Sequence, residues 1–530
     1  MTNSAEEQAP QQRTRKSHTR SRTGCLTCRK RHRRCDEQRP ICGNCLTTSR
    51  PCEYPTPGLP LRERRKPALP GEQQPWKPED EAPALPLSRA VGPCLSQPIK
   101  MPFKSNELFH YFYELEDAVD IMPREKRQDL LSYVMQSPDA LRNTMLIAGF
   151  HFAWNAGHLH AFEPTVLFHK IETMRLINGW LEQSRPKAYS VCVRQIATLC
   201  FTECALGSVA TAETHLNGLM RFMDFHRPPH LLDQTDTGVE DELSNRYIIL
   251  TYNFIYGFKS RLQDILDEEY NMSPGEQPTS HMVEDLMHSW HKEEFRGLEI
   301  RLKAMKMIPY FFTPLPSTTK FRQIDGSPML DCLISLTETA RIRYQSPDAQ
   351  TQQLVWLEGA ATRLLLAFVS SHIESLSGDE KGGLKTRARL RLSTSWSGMA
   401  SASGLYLHAV LGFWNAGEPI EARLLRRVLS ILKQDLERHR PDHAPRLASD
   451  LWFWKAFVAA FSMSKHLQLD HQGILSPLEQ PFRDVVCEWS EMNGVTQWTK
   501  ARKSLAKIVW PETFHLEDLA EEVWNRCISS

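Results

Sequence analysis

From about Met101 to Ser530, apolar residues recur at helical spacing. The series opens with Phe109, Tyr111, Phe112 and Leu115. Its clearest stripe is Ala212, Leu216, Leu219, Met220 and Met223, spaced i, i+4, i+7, i+8 and i+11, which predicts one face of an amphipathic helix. Leu424, Leu425, Val428, Leu429, Leu432 and Leu436 predict a second such face. Val191 to Leu206 and Leu354 to Val369 are apolar on more than one side, so both are expected as helices buried in a core. Period-two alternation bounded by hairpin turns is scarce. Breakers at Arg227-Pro228-Pro229, Ser273-Pro274-Gly275 and Gly378 to Gly383 divide the pattern into helices of ordinary length. Residues 101–530 therefore read as one large all-α domain, in one or two lobes.

Upstream of Met101 this pattern vanishes. Between Pro57 and Pro98 there are ten prolines, and such a segment cannot hold a long helix, so 57–100 is expected to be a Pro-rich, disordered linker. The same prolines exclude a heptad coiled coil directly after the segment 23–56, and the oligomeric state stays open. Residues 1–22 read as a disordered arm that turns basic at Arg13, Arg15, Lys16, Arg20 and Arg22. Residues 23–56 hold almost no apolar side chains beyond Leu26, Ile41, Leu46 and Tyr54, which is too few for a hydrophobic core.

Charge sharpens the division. The 530-residue chain has a formal net charge of only +1 and is 41% apolar, enough for a sizeable core in the body. Residues 1–66 nevertheless carry sixteen Lys/Arg against six Asp/Glu, and the remainder carries 48 against 57. A basic head on an acidic body implies a polyanionic partner, with nucleic acid the first candidate. The polar start Met1 to Glu7 lacks the apolar stretch of a secretory signal, and no run approaches a membrane span. The expectation is a soluble intracellular protein with no membrane partner.

The missing core of the head is supplied by another chemistry. Cys25, Cys28, Cys35, Cys42, Cys45 and Cys52 follow the spacing C-x2-C-x6-C-x6-C-x2-C-x6-C, in which C-x2-C-x6-C occurs twice. In a reducing compartment such a cluster reads as metal ligands rather than disulfides. Two tetrahedral Zn2+ ions need eight ligand positions, which six thiolates supply only if two of them bridge. By the repeat, the bridging pair is the first cysteine of each half. That assigns Cys25, Cys28, Cys35 and Cys42 to one zinc, and Cys42, Cys45, Cys52 and Cys25 to the other. The halves differ between their second and third cysteines. The first carries Arg29-Lys30-Arg31-His32-Arg33-Arg34, a nucleic-acid surface, whereas the second carries Leu46-Thr47-Thr48-Ser49-Arg50-Pro51. The basic run also suits a nuclear-import signal.

The run Gly24 to Glu37, followed by Arg39-Pro40-Ile41-Cys42-Gly43-Asn44-Cys45 and Cys52-Glu53-Tyr54, resembles the fungal Zn2Cys6 binuclear-cluster transcription factors. That resemblance implies a helix end docked in the major groove of double-stranded DNA over a CGG-type triplet, with basic side chains after the second cysteine reaching guanine. His32 stands where many members carry Lys, so Arg31 would share the reading. Ala212-Glu213-Thr214-His215-Leu216-Asn217-Gly218-Leu219 is similar to the A-x-x-H-L-x-G-L helix of the all-α fungal-specific transcription factor domain, which implies a regulatory body.

Other features yield to plainer readings. No P-loop, H-E-x-x-H or G-x-S-x-G pattern occurs, so no active site is expected. Cys200 and Cys204 are read as buried structural cysteines. His151, His158 and His160 are read as packed or capping residues at a helix end. Phe514 to Trp524 is read as a final amphipathic helix with Leu516, Leu519, Ala520 and Val523 on the core, rather than an activation segment.

The chain is thus expected to be a nuclear, zinc-dependent, sequence-specific regulator of RNA polymerase II transcription rather than an enzyme. Its DNA contacts would be Arg29 to Arg34 with Arg20 and Arg22, and its partners the transcription machinery or co-regulators. The alternatives are a repressor or co-regulator recruited mainly through partners, and an α-helical ligand-binding protein or enzyme with a zinc-dependent targeting head.

Overall fold

Helix caps and buried stripes account for most of the architecture. The computed structural model describes residues 25–31, 33, 35–38, 40–54, 99–114, 132, 134–183, 189–226, 238–270, 295–345, 360–376, 392–412, 422–441, 446–467, 470 and 473–529. The arm 1–22, the proline stretch 57–98, the three breaker segments, Leu115 and residues 354–359 lie outside them. The chain divides into two compact units, Met1–Pro78 and Glu79–Ser530.

Among its described residues the first unit contains two short helices, α1 (Leu26–Lys30) and α2 (Gly43–Leu46), each beginning directly after a cysteine. Among the described residues its buried side chains are Cys25, Cys28, Cys35, Cys42 and Cys45, with Cys52 and Tyr54 packed against them. Sulfur takes the place of a hydrocarbon core. Leu26, Ile41 and Leu46, the apolar residues that could have made one, are exposed.

The second unit is helical apart from one two-stranded antiparallel ladder among the described residues, β1 (Ile324–Asp325) with β2 (Ser393–Thr394), pairing Ile324 with Thr394 and Asp325 with Ser393. Its helices run α3 (Ser105–Glu114), α4 (Pro138–Ala156), α5 (Glu163–Gln183), α6 (Tyr189–Ala205), α7 (Val209–His226), α8 (Val239–Tyr270) and α9 (Phe295–Met307). After β1 come α10 (Ser327–Gln345) and α11 (Ala360–Ser375), and after β2 come α12 (Trp396–Leu405), α13 (Ala422–Arg438), α14 (Arg446–Leu467), α15 (Glu479–Asn493), α16 (Trp498–Ile508) and α17 (Glu517–Ile528). A π-helical turn, Tyr406–Val410, extends α12.

The predicted stripes became buried faces. Ala212, Leu216, Leu219, Met220 and Met223 are the buried residues of α7, and Leu424 to Leu436 line the buried side of α13. As expected of a segment apolar on several sides, α6 is buried from Cys192 to Ala205 and packs against α4, α7 and α8. The segment read from Leu354 begins as a described helix at Ala360. Toward the C-terminus α14 packs on α15, α16 and α17, with Phe453 against Trp489 and Trp524 and Phe457 against Trp498.

One correction concerns His151. It is packed, as expected, but lies inside the C-terminal third of α4 rather than at its end, buried, with Nδ1 3.0 Å from the Tyr111 hydroxyl. The helix ends later, at Gly157, whose φ of 76° is the left-handed conformation glycine adopts freely. His158 and His160 follow it, exposed and stacked on each other. Cys200 and Cys204 are buried, and the Cys204 thiol faces the Ile255 carbonyl at 3.8 Å. In α17 Ala520 and Val523 are buried, and Leu519 and the preceding Leu516 pack partly against the core, so this segment is a packed helix.

A buried charge fastens α12, α13 and α14 together. The Asp435 carboxylate accepts from Lys455 Nζ at 2.9 Å and from the Ser395 hydroxyl, and His439 Nδ1 lies 3.0 Å from it. These partners, led by the Lys455 ammonium, outweigh burial and hold Asp435 well below the usual carboxylate range. Gly398 lets α12 approach, since a Cβ there would stand 1.8 Å from Asp435 Oδ2.

Candidate metal centre

The repeat in the sequence is a repeat in space. Cys25 and Cys42 each stand where the chain turns into a short helix, so the cysteine three residues on returns to the same side after about one turn. Cys28 N–H donates to Cys25 Sγ at 3.4 Å, and Cys45 N–H donates to the Cys42 carbonyl at 2.9 Å. The third cysteine of each half closes back in the same manner. Cys25 N–H donates to Cys35 Sγ at 3.4 Å, and Cys42 N–H donates to Cys52 Sγ at 3.3 Å. Beyond the helices, Arg33 N–H donates to the Cys28 carbonyl and Arg50 N–H to the Cys45 carbonyl, both at 3.0 Å.

The six sulfurs form two overlapping groups of four. Cys25, Cys28, Cys35 and Cys42 make one, and Cys25, Cys42, Cys45 and Cys52 make the other, with all sulfurs of a group within 4.8 Å of one another. The pairs Cys25 with Cys42, Cys25 with Cys45 and Cys28 with Cys42 each stand 3.7 Å apart. Tetrahedral thiolates about 2.3 Å from a zinc ion would stand about 3.8 Å apart, so the donor set fits the metal in both chemistry and spacing.

Electrostatics points the same way. Burial opposes ionisation of Cys25, but the Cys28 amide and the thiols of Cys28, Cys42 and Cys45 overcome it and lower the Cys25 pKa. At Cys42 burial is likewise overcome, chiefly by the amide and thiol of Cys45. Burial, then the neighbouring Cys42 and Cys25, push Cys45 up to about 12, and the same effects raise Cys28. Thiols so crowded cannot all ionise without cations among them, and two divalent ions would leave six thiolates with a formal charge of about −2.

Polar contacts close the unit. The Tyr54 hydroxyl donates to the Gln38 carbonyl at 2.7 Å and lies 3.7 Å from Cys35 Sγ, while Thr27 Oγ1 donates to the Pro51 carbonyl at 2.6 Å. Of the basic run, Lys30 and Arg33 are exposed, and Arg31 is half-buried with its guanidinium 3.4 Å from Thr48 Oγ1. Arg29 is a residue of α1. His32, Arg34, Arg20 and Arg22 lie outside the described residues. The sequence reading gave no role to Asp36, whose Oδ2 accepts from Gly43 N–H at 2.8 Å. Its only signal was an acid set directly after a cysteine in a basic stretch.

Residues 23–59 match the fungal Zn(2)-Cys(6) binuclear cluster domain. The chain is 49% identical over 53 residues to the transcription activator AMTR1 of Alternaria alternata, covering 10% of this chain and 7% of that protein. It is 58% identical over 40 residues to the sterol uptake control protein 2 of Candida albicans, covering 8% and 6%. It is 47% identical over 51 residues to the transcription factor lfc1 of Flammulina velutipes, covering 10% and 18%. These alignments span less than a fifth of each relative. No solved structure matches the chain. The chain thus carries at its N-terminus a fungal Zn(2)-Cys(6) binuclear cluster domain, a domain that binds two zinc ions, ahead of a largely helical remainder.

Proposed function

We propose that the protein is a zinc-dependent, sequence-specific DNA-binding regulator of RNA polymerase II transcription, acting in the nucleus. One zinc is held by Cys25, Cys28, Cys35 and Cys42, the other by Cys25, Cys42, Cys45 and Cys52. The observation that carries this reading is the pair of four-sulfur groups sharing Cys25 and Cys42, with the arginine-rich run beginning directly after Cys28 in α1. The metals supply the folding energy that this segment's few apolar residues cannot.

In this reading Arg29, Lys30, Arg31, His32, Arg33 and Arg34 meet the duplex, and Arg20 and Arg22 add phosphate contacts from the arm. Exposed Lys30 and Arg33 suit phosphates, and a neighbouring side chain reaches guanine O6 and N7 in a CGG-type triplet. The helical body is regulatory and meets co-regulators or the transcription machinery. Among the described residues no helix is long and apolar enough to cross a membrane. That the matched relatives from Alternaria alternata and Flammulina velutipes are named as a transcription activator and a transcription factor supports a regulator over an enzyme.

Metal content tests the foundation. The purified full chain, measured by elemental analysis, is expected to hold two zinc ions. A single ion would overturn the shared-thiolate assignment.

A further inference from the structure

The two halves of the cluster clasp each other at equivalent places, by different means. Leu26 and Gly43 each follow the first cysteine of a half, and Asp36 and Glu53 each follow the third. Leu26 N–H donates to the main-chain carbonyl of Glu53 at 2.7 Å, whereas Gly43 N–H donates to the side-chain carboxylate of Asp36 at 2.8 Å. In each case the tail of one half captures the first amide of the other half's helix, next to a sulfur belonging to both four-sulfur groups. The first clasp is backbone and survives side-chain substitution. The second depends on one carboxylate. It also depends on glycine, because a Cβ at residue 43 would stand 2.5 Å from Asp36 Oδ2.

We propose that Asp36 is a positioning residue for the binuclear centre. Its carboxylate, admitted by Gly43, fixes the start of α2 and so keeps the Cys42 sulfur in register with both metals. The inference rests on the two-zinc reading above. It predicts an asymmetry that neither the repeat nor the spacing of the cysteines contains. Glu53 occupies the equivalent position, but its carboxylate has no part in the clasp at Leu26.

The test is zinc release from the full chain to a chromogenic chelator, followed in time. Asp36→Ala should release both ions faster, by about two- to thirtyfold, the factor set by losing a capping acceptor. Asp36→Asn keeps an acceptor oxygen and should stay near wild type, and Glu53→Ala should be unchanged. Gly43→Ala should release zinc faster still, or hold none, and adding Asp36→Ala to it should restore the Asp36→Ala rate by removing the clashing oxygen. Equal rates for Asp36→Ala and Glu53→Ala would overturn the proposal, as would a double variant no better than Gly43→Ala. A wild-type chain without two zincs would instead sink the reading on which the proposal rests.

Discussion

Cys42→Ala and Cys28→Ala delete the same atom from the same kind of residue, yet the geometry assigns them different losses. Cys42 belongs to both four-sulfur groups and Cys28 to one. Of the eight metal–sulfur positions that two tetrahedral zincs require, Cys42 fills two and Cys28 one. A structural zinc site contributes about 10–16 kcal/mol of apparent binding energy in small fingers, and an equal share per ligand is a quarter of that. Losing one ligand should then weaken a site by about a hundred- to a thousandfold. Cys28→Ala should therefore loosen one ion and leave the second near its original affinity. Cys42→Ala should loosen both. Competition with a chelator of known affinity gives the number of tightly held ions per chain: two for wild type, one for Cys28→Ala and none for Cys42→Ala. Equal retention by the two variants would refute the sharing of Cys42.

Other consequences follow for DNA and for the body. Lys30→Ala should weaken binding to all duplexes and lower the slope of log affinity against log salt by about 1, whereas Arg31→Ala should cost about 1–3 kcal/mol at the preferred triplet alone; fluorescence anisotropy at several salt concentrations separates them. Lys455→Met strands the buried Asp435 carboxylate and should destabilise the body by about 3–5 kcal/mol, with much of the loss recovered in the Asp435→Asn/Lys455→Met double variant, as read by chemical denaturation. Burial holds His151, His169 and His408 near about 3, so the folded body favours their neutral forms. Stability from these three is intact above about 6.5 and is lost as pH falls below it, by up to about 1.4 kcal/mol per histidine per pH unit. His439, raised first by its bond to Asp435, has the opposite sign: its contribution is present below about 6.5 and fades as pH rises through its folded value. Tryptophan fluorescence follows chiefly the body in such a titration, because residues 25–54 contain no tryptophan and Trp76 is the one tryptophan before Met101.

What the sequence could and could not reveal follows from the range of each interaction. The cysteine repeat was legible because its spacing is local: a half closes within eleven residues, and the second half copies the first. The stripes on α7 and α13 were legible because a helix face repeats every few residues. Around His151 the same signal misled. Phe150, Phe152 and Trp154 surround it, so α4 is apolar on several sides, and the local stop signal, Gly157, lies beyond it. Asp435 lies beside the apolar stripe of α13 and would pass for a solvent-facing acid. Its burial is set by Lys455 on α14 and Gly398 on α12, and no local pattern connects those positions. The β1–β2 ladder was invisible for a similar reason, being two residues per strand joined across some seventy positions. Asp36 is the functional counterpart of these cases, since its partner Gly43 is identified only once both halves are folded.

Selection from randomised duplexes by the full zinc-loaded chain, repeated after the metal is stripped with a chelator, tests the central claim most directly. A zinc-organised reader should enrich a G/C-rich triplet when loaded and lose that enrichment when stripped, with recovery on adding zinc back. Enrichment of no triplet, or of the same triplet with and without zinc, would contradict it.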